Sequence, residues 1–326
     1  MSLLSLALCV LPLAAAPAGG AGTDFRITIT GTVEFNGIGT GFLGTVGVNE
    51  SATLTFLVNS EDFINSPNFP TRGYFIDESS WNLQFDSGSL DLENPYSGFG
   101  AMFVIRNNDP AVDGFLVSDN VDTPMGVPLD QPGVFGQFEH SFLVTYPGSF
   151  LGSLNIGGAV GTYDFTGLSV FNWTIDDGPF NPLGIEFAEL KIERVNFKAD
   201  VSEISLAAGG QQIMTLNAGE ANANSNYWVF GSVTGTTPGI DFGPGLNLPL
   251  NFDPYFRLTL FQVGLSNFGM FKGNLDACGR ATATLTVPAG LDPTLAGAVL
   301  NHAYVAAEIF GVTDYTSEAI SLTLVP

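Results

Sequence analysis

The sequence predicts an all-β protein of two β-sandwich domains in tandem, the first jelly-roll-like and the second immunoglobulin-like. Three observations lead to that reading. Apolar and polar residues alternate with period two over many short segments, as strands with one wet face require. Glycine (40 residues) and proline (19) punctuate those segments at short intervals and supply the turns. Only 13% of residues are charged against 45% hydrophobic, which leaves too little Lys, Glu and Arg for the polar faces of long helices. A length of 326 residues suits two domains of ordinary size.

At the N-terminus, residues 3–16 form an apolar run of the length of a secretory h-region, and small residues follow from Ala14 to Gly22. Residues 1–22 therefore read as a signal peptide. No Lys or Arg precedes the run, so only the α-amino group supplies positive charge. The run is shorter than the ~20 residues of a bilayer span and no later stretch qualifies, so no membrane span is expected. Cys9 would leave with the leader. Cys278 then stands alone, able to form neither an internal disulfide nor a zinc site, and is expected half-buried in a turn.

The first domain is placed at residues 23–199. Residues 25–35 and 52–58 alternate strictly, and Gly37, Gly39, Gly41, Gly44 and Gly47 break any helix between them. Further strands are expected at 80–85, 100–106, 114–118, 141–146, 168–175 and 186–197. In the last, strict alternation puts Ala188, Leu190 and Ile192 on one face and Glu189, Lys191 and Glu193 on the other, with Glu186 facing away from Glu189. The pattern is interrupted near 199–202, and a second domain is placed at 200–326. Its strands are expected at 203–206, 212–217, 227–233, 255–261, 280–287, 299–308 and 319–324. Leu295, Val299, Ala303 and Ala306 also fit a helical stripe; a strand preceded by a short helical turn at 292–295 is preferred, since Pro293 suits a first helical position.

Charge narrows the functional classes. With 9 Lys+Arg against 32 Asp+Glu the net charge is −23, and the summed field repels polyanions, which excludes nucleic acid as a partner. No glycine-rich phosphate loop leads into a helix. Nucleophilic triads need a base, and there are two histidines. In Glu139-His140-Ser141 neighbours point to opposite faces of a strand, so adjacency makes no triad. His140 is expected at a surface or strand end and His302 as a hydrogen-bonded structural residue, so no catalytic residue is assigned. Glu186, Glu189 and Glu193 are the carboxylates to weigh for glycoside hydrolysis, against the ordinary reading of a solvated strand face.

Two kinds of binding residue remain. Asn107-Asn108-Asp109, Asp113, Asp119 and Asp122 crowd oxygen ligands into neighbouring loops, which makes Asp109, Asp113, Asp119 and Asp122 candidate ligands for calcium, an ion that takes about 6–8 oxygens. Plain turn chemistry places the same residue types there. Trp81 alternates in phase with Leu83 and Phe85, and Trp173 with Phe171 and Ile175, so both tryptophans read as core. The loop aromatics Tyr96, Phe99 and Phe180 are the candidates for stacking on a glycan.

Several motifs carry a resemblance. Ala208-Gly209-Gly210, Leu216-Asn217-Ala218-Gly219, the stretch 231–239 (Gly231-Ser232-Val233-Thr234 and on), the stretch 248–256 around Asp253-Pro254-Tyr255-Phe256, 275–281 around Cys278-Gly279 and His302-Ala303-Tyr304 resemble the C-terminal domain of secreted proteins of planctomycete-like aquatic bacteria. The likeness covers about a third of the chain and implies export and fold alone, those proteins being functionally uncharacterised. Gly31-Thr32-Val33, 52–56 and 113–119 are similar in texture to PEP-CTERM-type exported proteins, although residues 321–326 hold no Pro-Glu-Pro motif. The expectation is a secreted or cell-surface structural or adhesive protein, not an enzyme, with glycans or other surface proteins as partners and calcium as the candidate cofactor. The alternatives are an extracellular carbohydrate-binding protein and a carboxylate-dependent glycoside hydrolase.

Overall fold

In the computed structural model the described residues are 22–178, 182–243, 245–261, 266–307 and 313–326. Residues 1–21 of the expected leader, with Cys9, lie outside them, as do Phe180 and Glu308. The protein is all-β apart from one short α-helix among the described residues, and none of their helices is long and apolar enough to cross a membrane. The chain divides into two compact units, Met1–Glu193 and Arg194–Pro326.

The first unit opens with β1 (Asp24–Asn36), β2 (Ser51–Asn65) and β3 (Thr71–Phe85). After β4 (Gly88–Leu90) come β5 (Met102–Arg106), β6 (Val112–Ser118), β7 (Val127–Pro132) and β8 (Gln137–Pro147). It ends with β9 (Gly161–Asp164), β10 (Val170–Asp176) and β11 (Leu183–Arg194). These strands make one sheet in the order β1-β2-β3-β5-β6-β8-β10-β11-β9, with β4 on β3 and β7 on β8. Because β1 also pairs with β11, the sheet closes on itself in the manner of a barrel and neither strand is left as a free edge. Gly31 permits the closure: a Cβ there would lie 2.3 Å from the Glu186 carbonyl oxygen.

Period-two alternation fills the interior. Phe25, Ile27 and Ile29 of β1, Leu54, Phe56 and Val58 of β2, and Trp81, Leu83 and Phe85 of β3 are all buried in one cluster. On β11 and β10 the phase read from the sequence does not hold throughout. On β11 burial runs through Ile185 and Phe187 and then through Leu190 and Ile192, with Ala188 and Glu189 both exposed. The phase slips where the strand changes partner, from β10 at Leu183 and Gly184 to β9 at Glu189 through Ile192. Ala188 is thus on the wet face, and Glu186 shares that face with Glu189, the reverse of the sequence expectation. On β10, Trp173 and Ile175 are buried but Phe171 is 37% exposed, because β11 pairs with β10 only at Thr174 and Ile175.

The second unit begins with β12 (Phe197–Ala199), β13 (Glu203–Ser205), β14 (Gly210–Asn217), β15 (Asn226–Ser232), β16 (Ile240–Asp241) and β17 (Asn247–Leu248). Then follow α1 (Pro254–Phe261), β18 (Phe268–Gly269), β19 (Lys272–Asn274), β20 (Arg280–Val287), β21 (Val299–Ala307), β22 (Thr313–Thr316) and β23 (Ile320–Val325). One sheet runs β12-β14-β20-β18 and the other β13-β23-β21-β15-β19, with β22 on β21. β12 lies antiparallel to β14 whereas β13 lies parallel to β23. The opening stretch of chain therefore serves both sheets, in an immunoglobulin-like arrangement. Met214, Leu216 and Leu285 from one sheet meet Tyr227, Val229 and Tyr304 from the other. Residues 197–199 pair inside this unit, so it starts before the interruption at 199–202.

Residues 255–261, expected as a strand, form α1 instead. Asp253 caps it: its Oδ1 accepts from the Phe256 N–H at 2.8 Å, and its carbonyl accepts from the Arg257 N–H. Pro254, lacking an N–H, occupies the first helical position. The helix buries Phe256 against Phe230, Leu248, Leu250 and Val305, on the face of β15 and β21 away from the inter-sheet core. By contrast the turn at 293–295 and the strand that follows it form as expected.

Several of the motifs behind the C-terminal resemblance make contact with one another. The second carboxylate oxygen of Asp253 accepts from the Ser232 hydroxyl, the Val233 N–H, and the Thr234 N–H and hydroxyl, at 2.8–3.0 Å. Gly231 pairs with His302 across the sheet and makes room for Tyr255, whose ring would lie 2.2 Å from a Cβ at that position. The Tyr255 hydroxyl in turn bonds His302 Nε2 at 2.9 Å. Ala218 donates to the Gly279 carbonyl, closing the turn that carries Cys278. Cys278 is exposed rather than half-buried, since that turn is held by Asp276, which accepts from the Cys278 and Arg280 N–H groups.

Candidate functional site

A cleft of 390 Å³ in the first unit is lined by Glu78, Ser79, Trp81, Asp91, Leu92, Glu93, Asn94 and Asp130. Its volume falls within the roughly 300–1,000 Å³ of small-ligand sites. Three local structures build it. Between the pairs Thr55↔Asn82 and Leu57↔Asp77 β3 carries extra residues. This bulge turns Glu78 and Ser79 outward, with Asp77 accepting from the Ser79 N–H and hydroxyl. Residues 91–93 zip against β7 through the Leu92↔Leu129 bridge, the Glu93 N–H to Pro128 carbonyl bond and the Asp130 N–H to Asp91 carbonyl bond. Alternation then buries Leu92 and Leu129 and leaves Asp91, Glu93 and Asp130 facing out.

Among the described residues no Lys or Arg forms an ion pair with any of these four carboxylates; elsewhere Arg106 pairs with Asp109 and Lys191 with Glu193. Glu93 accepts from the Ser97 N–H at 3.2 Å and from the Gln137 amide at 3.4 Å. Hydrogen bonding from Ser97, and then from Gln137, holds its carboxyl below the ordinary carboxylate value. Trp81 is 3% exposed. It stacks on Phe56 at 5.6 Å, meets His140 edge-on at 5.3 Å, and its indole N–H has no acceptor.

His140 is wholly buried, which overturns the expected surface or strand-end position. β8 is an inner strand at that point, with His140 opposite Ile175 on one side and Val127 on the other. Its Nε2 accepts from the Trp173 indole N–H at 2.8 Å, and burial lowers its pKa to about 3. A signal was present in the sequence: Phe138, His140, Phe142 and Val144 recur with period two, the register of a buried face. His302 is equally buried, bonded to Tyr255 and lowered to about 3 by burial. Neither ring handles protons near neutral pH.

The residues singled out from the sequence fall into three groups. Tyr96 is half-buried against the first core and its hydroxyl donates to Asp119 at 3.4 Å. Burial, then the carboxylates of Asp119, Glu78 and Glu93, push that hydroxyl up, which places Tyr96 in the field of the cleft. Phe99, three residues on, is 72% exposed and packs on Phe75. The four aspartates proposed for calcium are not brought together. Asp113, fully buried at the start of β6, accepts from the Asn108, Phe150 and Leu151 N–H groups at 2.7 Å. Asp119 follows the far end of the same strand and accepts from the Gly100 N–H. Asp109 pairs with Arg106 at 3.4 Å, and Asp122 accepts from Asn68. Among the described residues no group of three or more His, Cys, Asp or Glu side chains is placed to hold a metal. Glu193 pairs with Lys191 at 2.7 Å on the outer face of β11.

No protein-family model, no curated protein and no solved structure matches this chain.

Proposed function

We propose that the chain is an exported surface protein that binds without catalysis, its first unit recognising a neutral glycan and its second serving as an immunoglobulin-like structural module. The cleft carries this reading. Carboxylates and the Asn94 amide are the groups that pair with sugar hydroxyls. Four carboxylates without cationic partners on a chain of net charge −23 repel uronic or sulfated sugars, so the ligand is neutral. For a hydrolase the cleft lacks a suitable acid in Glu93, which stays ionised at neutral pH.

Screening the mature protein against neutral and anionic glycans, followed by calorimetry, tests the proposal. Neutral glycans should bind, and Glu93→Gln and Asp130→Asn should each weaken binding about tenfold, the worth of one hydrogen bond to a charged group. Retention of anionic glycans alone, or of none, overturns it. Export has its own measurement. Protein recovered outside the cytoplasm should begin at about residues 17–23, and cytosolic protein with residues 1–22 intact contradicts the reading.

A further inference from the structure

We infer that the ligand is an extended chain of sugars, and that Phe135 stacks on a ring lying beyond the cleft. The inference rests on reading the cleft as a glycan site. One wall of the cleft is the hairpin of β7 and β8: β7 supplies Asp130, and Gln137 at the start of β8 donates to Glu93. The tip of that hairpin, Gly133-Val134-Phe135-Gly136, leaves Val134 78% and Phe135 70% exposed.

The tip is held by its main chain. Gly133 donates to the Gly136 carbonyl at 2.6 Å, and the Asp177 carboxylate accepts from the N–H groups of both Val134 and Phe135. The Phe135 ring lies beside Gly178. A scattered exposed phenylalanine is ordinary. A tip anchored through its backbone, at the end of a hairpin whose β7 strand supplies Asp130 to a polar cleft, is different, because the turn that presents the flat apolar ring is already ordered on folding. The apolar C–H face of a neutral sugar fits such a ring. Asp176, Asp177 and the overall charge disfavour an anionic membrane as the alternative occupant.

Calorimetry of the mature full-length chain with cello-, xylo- and manno-oligosaccharides of two to six units tests the inference. Affinity should rise with length. Phe135→Ala should remove about 5- to 10-fold of that gain and leave disaccharide binding unchanged, while Phe135→Trp should keep the gain. Glu93→Gln should weaken every length. Binding at no length by the native chain overturns the cleft reading itself. Binding by the native chain with the length gain intact in Phe135→Ala overturns the role of Phe135 alone.

Discussion

Asp253→Ala is expected to cost the second unit about 3–5 kcal/mol of stability, because one carboxylate serves five donors and caps the helix. Its loss strands the Val233, Thr234 and Phe256 N–H groups together with the Ser232 and Thr234 hydroxyls. Leaving a buried donor unpaired costs roughly 1–3 kcal/mol, so two strongly affected groups suffice for the total. Asp253→Asn keeps one acceptor oxygen and should lose about half as much. Urea unfolding combined with hydrogen exchange over peptides from 226–261 reads the effect in the right unit. Losses below 1 kcal/mol for both variants would show that the network is dispensable. The pH dependence has a definite sign. Burial pushes the Asp253 carboxyl up, but the hydrogen bonds from Phe256, Ser232, Val233 and Thr234 outweigh it and the net pKa is lowered. Its contribution is therefore complete above the unfolded value of 3.8 and is lost as pH falls through the folded value.

Mild acid should destabilise both units through their single buried histidines. His140 and His302 are lowered from 6.5 to about 3, so between those values the unfolded chain binds a proton that the native state refuses. Stability is complete above pH 6.5 and falls by about 1.4 kcal/mol per pH unit for each histidine as pH drops toward 3. At pH 5 each unit should have lost roughly 2 kcal/mol. Titration of the surplus carboxylates relieves self-repulsion and acts in the opposite direction, so the discriminating quantity is a difference in slope. His140→Gln should flatten the first unit's stability between pH 6.5 and 5 by about 1.4 kcal/mol per pH unit, whatever it costs at pH 7. An unchanged slope would mean that the ring is not held neutral by burial. The same geometry supplies the mechanism: protonating His140 Nε2 sets it against the Trp173 N–H that it accepts from at neutral pH.

Local pattern was a reliable guide where a strand keeps the same neighbours along its length. Residues 25–34 and 52–58 alternate in the sequence and in the folded sheet, with Phe35 exposed at the end of β1, and Trp81 and Trp173 are buried as their phase predicts. It failed where neighbours change. β11 trades β10 for β9 midway, the phase slips at Ala188 and Glu189, and Glu186 turns to the other face. At 255–261 the apolar spacing suits strand and helix alike, and the deciding features are the Asp253 carboxylate and Pro254 at the helix start, which a period count does not weigh. The cleft was less legible still. Its acidic groups come from 78, 91, 93 and 130, which no short motif unites. The loop aromatics Tyr96 and Phe99 lie on the segment that continues from Glu93 and Asn94, whereas Phe135, in Gly133-Val134-Phe135-Gly136, has the local sequence of an ordinary turn.

The sequence by itself determined that this chain is built of strands, because side-chain alternation and turn chemistry act over a few residues and need no distant partner. Only the tertiary structure decided that β1 closes the first sheet onto β11, that two indoles enclose a neutral histidine, and which carboxylates share a cleft. Each of those outcomes depends on which remote strands pair, and pairing is settled by burying whole faces at once, a property of the assembled sheet that no single segment carries.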